Sequence, residues 1–149
     1  MEVKEETTPW DATSLRPVYL ALLAFALLLG VAPFFFAAPA DAAPVEGSGS
    51  FLGALGGAGA LIFGFALLFQ HFFYRRPLRR GDFAPHSEEY HRRLFVAALL
   101  TWGCGQALIL KGFVAYMVAY DLTLHLPFAL LGVGVFLLFP PGRMAQETP

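Results

Sequence analysis

Four stretches of this chain are long enough to cross a bilayer as helices, and together they hold one lysine and no acid. They cover residues 17–38, 51–74, 94–120 and 122–139. The first has 22 residues, and at about 1.5 Å per residue it reaches about 33 Å, enough for a hydrocarbon core of about 30 Å. This pattern predicts an all-α polytopic membrane protein with four transmembrane helices. Composition agrees: 57% of residues are apolar and 14% charged, against about 45–50% and about 25% in soluble domains.

Pro17 suits the first turn of the first span, whereas Pro33 lies inside it and removes a hydrogen bond to Leu29, predicting a kink near Gly30. A signal peptide is the rival for this run, with Arg16 as basic flank and Ala40-Asp41-Ala42 as the cleavage site. Against it stand the acidic leader (Glu2, Glu5, Glu6, Asp11) and an apolar core longer than signal peptides use. The fourth run is the shortest. His125 and Pro127 sit near its start and Pro140-Pro141 stop it, so a re-entrant helix is its rival. Residues 39–50 and 75–93 read as loops, the second being the only sizeable hydrophilic connection.

Charge orients the four spans. The 39–50 loop has Asp41 and Glu46 but no Lys or Arg, and the turn after the third span has Asp121 alone. The 75–93 loop carries Arg75, Arg76, Arg79, Arg80, Arg92 and Arg93, while Arg16 and Arg143 flank the outer ends. Every basic residue except Lys111 thus falls on one side. The positive-inside rule makes that side cytoplasmic, with both termini in, and a plasma membrane, bacterial inner membrane included, is the expected location. Trp10, Tyr19, Tyr74, Tyr116 and Tyr120 fall near the expected interfaces.

Small residues mark expected packing faces. Gly53, Gly57, Ala60 and Gly64 share a stripe on the second span, and Ala98, Thr101, Gly105 and Gly112 form one on the third. The first stripe continues to His71, which it directs toward a helix interface. Gln106 is a mid-span amide that needs a partner on another helix, Cys104 is a small packing residue, and Trp102 is read as packing. Lys111 lies close to the outer boundary, where it snorkels to headgroups or pairs with Asp121, Asp41 or another subunit. The cluster Arg75, Arg76, Arg79 and Arg80 is placed to meet anionic headgroups or a partner. Ser87 is the expected cap of the third helix, with Glu89 and Tyr90 in its first turn.

The sequence contains no nucleophile elbow, phosphate loop, dinucleotide fingerprint or nucleic-acid motif, and His86, Glu88, Glu89 and His91 do not have metal-site spacing. Three functions remain. The first is a non-catalytic subunit that scaffolds a membrane complex, in contact with other subunits or itself. The second is a redox anchor in which His71 and His91 ligate haem, or serve a quinone. The third is an oligomeric transporter or channel using Gln106 and Lys111.

Overall fold

The computed structural model describes residues 12–36, 48–84 and 87–146. Trp10, Asp41, Glu46, His86 and the Ala40–Ala42 motif lie outside them. The fold is all-helical, 91% helix. Three helices are long and apolar enough to cross a membrane, over Ser14–Phe34, Gly49–Arg80 and Glu88–Ala119.

The first, α1 (Ala12–Val31), passes into a 3-10 turn at Ala32–Phe34. Pro33 therefore ends the α-helix where a kink was expected: without an N–H it cannot continue the ladder, and the chain tightens to shorter hydrogen bonds. The next helix, α2 (Ser48–Phe69), runs through a π-helical turn (Gln70–Arg75) into α3 (Arg76–Arg80). In the π turn, Arg76 N–H reaches back five residues to the His71 carbonyl. The wider coil precedes Pro77, whose ring would otherwise press on the Phe73 carbonyl four residues back. Gly81, at φ 71°, closes α3 in the left-handed conformation that glycine adopts without strain. Much of the expected 75–93 loop is thus helix.

The 32-residue α4 (Glu88–Ala119) starts at Ser87, whose Oγ accepts the Tyr90 N–H at 3.2 Å. It ends at Tyr120, a left-handed residue at φ 53°. Asp121 then caps α5 (Leu122–Leu138), accepting from the N–H and the hydroxyl of Thr123 at 2.8 and 2.7 Å. These bonds hold the Asp121 carboxyl below the usual carboxylate range. At 17 residues α5 covers about 26 Å, short of the other three. A terminal helix, α6 (Pro141–Gln146), folds back beside the start of α1.

The centre of the bundle is α4, which packs on α1, α2 and α5. Its seam with α5 is built on glycine. A β-carbon on Gly132 would collide with Ile109 and stand 2.6 Å from the Gly105 carbonyl oxygen. One on Gly112 would stand 2.8 Å from Phe128 Cβ and 2.9 Å from the His125 carbonyl. Backbones this close gain dispersion contacts that lipid cannot match. Most of α1 and α2 faces outward: Leu20, Leu28 and Leu61 are 61%, 65% and 75% exposed. Helices apolar on their outer side suit a hydrocarbon solvent.

Gly132→Val, which overpacks this seam, is expected to lower stability in mild detergent by about 1–3 kcal/mol. Gly53→Val, where a β-carbon meets nothing, is the matched control and should leave the thermal midpoint unchanged.

Candidate functional site

Proline sets the local chemistry of the interior. Each proline within a helix withholds an N–H from a carbonyl three or four residues back, and in hydrocarbon such a carbonyl has no water to turn to. At Pro33, at Pro77 and at Pro140, which stands just past the end of α5, a side chain of another helix supplies a donor. Pro33 cannot serve the carbonyls of Leu29 or Gly30, and His125 Nε2 lies 2.9 Å from the Gly30 oxygen. A carbonyl only accepts, so Nε2 carries the hydrogen. Pro140 cannot serve Phe136, and the Tyr19 hydroxyl donates to that carbonyl at 3.1 Å. Pro77 cannot serve Phe73, which Arg93 Nη1 reaches at 3.4 Å.

The same device closes helix ends and mid-helix sites. Trp102 Nε1 donates to the Phe139 carbonyl at 2.9 Å, Tyr74 Oη to that of Met144 at 2.9 Å, and Tyr116 Oη to that of Phe36. Gln106 Nε2 donates to the Leu22 carbonyl on α1. Gln70 Nε2 donates to Thr101 Oγ1 at 2.9 Å, and Thr101 in turn donates to the Ala97 carbonyl at 2.7 Å. The buried polar side chains Gln70, Thr101 and His125 all belong to these braces. Tyr19 also packs its ring on Trp102 and Phe136, at 5.2 and 6.0 Å between centroids.

The arginines gather at the opposite end from His125. Arg93 bonds Glu89 at 2.6 Å and stacks over Phe73 and Phe83 at 5.3 and 5.2 Å. Arg92 bonds the other Glu89 oxygen at 2.6 Å and keeps 69% of its side chain exposed. Arg75 lies over Phe139 and Arg76 over Phe72, at 5.4 and 5.5 Å, while Arg79 and Arg80 are exposed. Cationic groups on ring faces favour this arrangement without giving up their outer hydration.

The structure separates the two small-residue stripes. On α4, Ala98, Thr101, Gly105 and Gly112 are buried, the two glycines against α5. On α2, Gly53, Gly57 and Ala60 are exposed and Gly64 is half-buried, with open space before all three glycines. Within this chain, then, the α2 stripe is not a helix contact. The inward line of α2 is instead Gly59, Ala66, Gln70, Tyr74 and Leu78, with Gly59 under the Phe128 ring. His71 shares the outward side, exposed, its ring edge-on to Phe72 at 5.0 Å. His91 is half-buried and edge-on to Tyr90 at 5.2 Å. The interior position expected of His71 belongs to its neighbour Gln70, because burial there follows the Ala66–Gln70–Tyr74 spacing.

Lys111 is half-buried and takes part in no ion pair among the described residues; Asp121 is engaged with Thr123. Cys104 is a free, half-buried thiol. No group of three or more His, Cys, Asp or Glu that could hold a metal occurs among the described residues.

His125, Gln70, Tyr19 and Arg93 were not singled out from the sequence as interior donors. For His125, Tyr19 and Arg93 the signal that could have found them is a proline near one helix end and a polar side chain at matching depth in another helix; Gln70, bonded to Thr101, has no such signal. No family model, curated protein or solved structure matches the chain.

His125→Phe keeps volume but leaves the Gly30 carbonyl without its donor, at an expected cost of about 1–3 kcal/mol. Pro33→Ala returns a backbone N–H to that turn. The cost of His125→Phe should then fall by about 1 kcal/mol in a double-mutant cycle read by thermal unfolding in detergent. Strict additivity would show that the two residues do not act on the same carbonyl.

Proposed function

We propose that the chain is a four-span subunit that scaffolds a larger membrane complex, performs no chemistry of its own, and keeps its termini and arginine-rich turn in the cytoplasm. The observation that carries this reading is the outer face of α2. Its stripe Gly53, Gly57, Ala60 and Gly64 stands open, while the buried polar side chains Gln70, Thr101 and His125 are used to tie helices together. A small-residue face admits a second helix at short range, and the gain is packing, which is how helices associate in lipid.

Support for a fourth crossing comes from α5. Its segment from His125 to Phe136 lies alongside α1 from Gly30 to Tyr19, joined at both ends by the two hydrogen bonds above. The two stretches are equal in length and antiparallel, so α5 travels the same depth as α1 over that interval. Placement of the arginines at one end supports the cytoplasmic assignment, and a plasma membrane is the location proposed.

Single cysteines in a Cys104→Ser background test the topology. Cysteines at Arg80 and Gly142 are expected to react only from the cytoplasmic side, and one at Thr123 only from outside. Labelling of positions 123 and 142 from the same side would reduce the protein to three spans. For the scaffold, gently extracted protein should bring another membrane subunit with it, or a second copy. Gly57→Leu combined with Ala60→Leu should release that partner without moving the thermal midpoint. A monodisperse monomer would overturn the reading.

A further inference from the structure

Arg92 and Arg93 are neighbours with different environments. Both bond Glu89. Arg93 is fixed from several sides, by the Phe73 carbonyl and by two aromatic rings. Among the described residues Arg92 is held by Glu89 alone, and it presents an exposed guanidinium. One turn further into the apolar part of α4 lies Val96. Two cavities share Arg92 and Val96 as a common ridge. One, of about 280 Å³, opens toward α2 and is bounded by Phe73. The other, of about 440 Å³, lies along α4 and is bounded by Phe95. A cationic head thus stands between two grooves whose walls join Phe73, Phe95 and Val96 to the carboxylates of Glu89 and Glu88.

We propose that this ridge binds one diacyl anionic phospholipid, its phosphate on the Arg92 guanidinium and one acyl chain in each groove. The inference rests on the reading that the arginine end lies at a membrane face. One phosphate with two chains matches one cation with two grooves, and the Arg92 guanidinium favours a headgroup that brings no second cation, as the choline of a zwitterionic lipid would. Glu89, itself on the wall of the smaller groove, holds Arg92 through one Nη2 bond, and the other N–H groups of the guanidinium are left for the lipid. Arg93 contributes structure, holding α2 to α4 through the carbonyl that Pro77 leaves open.

The test uses the full chain in nonionic detergent, titrated with phosphatidylglycerol, with phosphatidylcholine of the same acyl chains, and with glycerol 3-phosphate, with bound lipid read by native mass spectrometry. Phosphatidylglycerol should be retained about fivefold more strongly than phosphatidylcholine, and glycerol 3-phosphate should not displace it. Arg92→Gln should abolish the preference at an unchanged thermal midpoint, because the side chain is exposed. Val96→Trp, which narrows both grooves from their shared wall, should weaken retention of both lipids. Arg79→Gln with Arg80→Gln should leave the preference intact. Equal retention of the two lipids, survival of the preference in Arg92→Gln, or its loss in the Arg79/Arg80 pair would overturn the proposal. So would displacement by glycerol 3-phosphate, which would reveal a simple anion site. None of these outcomes depends on which side of a membrane the ridge faces or on any partner subunit, so failure here leaves the scaffold reading standing.

Discussion

A backbone carbonyl that has lost its helical partner is expensive wherever packing keeps water from replacing the missing donor. Pro33, Pro77 and Pro140 each create that situation, and His125, Arg93 and Tyr19 each answer it from a different helix. The packing of the bundle depends on these answers. A side chain that fills an open carbonyl fixes both depth and rotation of its helix, because a hydrogen bond tolerates little error in distance or angle. Two such bonds set α5 against α1, and a third ties α4 to the end of α2. Apolar packing alone would leave these helices freer to slide, since one leucine surface resembles another.

Within those constraints α4 acts as the hub. Its glycines let α5 approach to backbone contact, its Gln106 reaches α1, and its Thr101 receives Gln70 from the end of α2. The π turn at Gln70–Arg75 has a part in this. It opens the coil just ahead of Pro77, in the stretch where Gln70, Tyr74 and Leu78 all turn inward. The same stretch leaves His71 and Phe72 on the outside. A local backbone irregularity is thereby coupled to the polar contacts between α2, α4 and α6.

Among the described residues, two open surfaces differ in kind: the outer face of α2 and the ridge at Arg92, whose guanidinium is held by Glu89 on one side. The first is smooth and apolar and suits another helix; the second combines charge and grooves and suits a lipid. Both lie on the surface that a bilayer would surround, and they call on different physics. Helix association in lipid comes from close packing of small residues, whereas headgroup recognition comes from charge at the interface, where water is partly excluded.

Four apolar runs, the one-sided placement of arginine and the Ser87 cap were legible in the sequence, because hydrophobic length, loop charge and capping are local properties. Glycine stripes were legible as stripes but not as contacts: the one on α4 faces α5, and the one on α2 faces out. Spacing fixes which residues share a face, and only packing decides where that face points. Likewise Pro33 announced a broken ladder, yet nothing local to it names His125, which lies 92 positions away. The sequence by itself determined that this chain is helical, apolar and charged at one end, since those follow from each segment's own solvation. The tertiary structure decided which carbonyls receive which donors, which glycines are covered, and that Gln70 rather than His71 turns inward. Those outcomes depend on the relative rotation of whole helices, and no single segment carries that information.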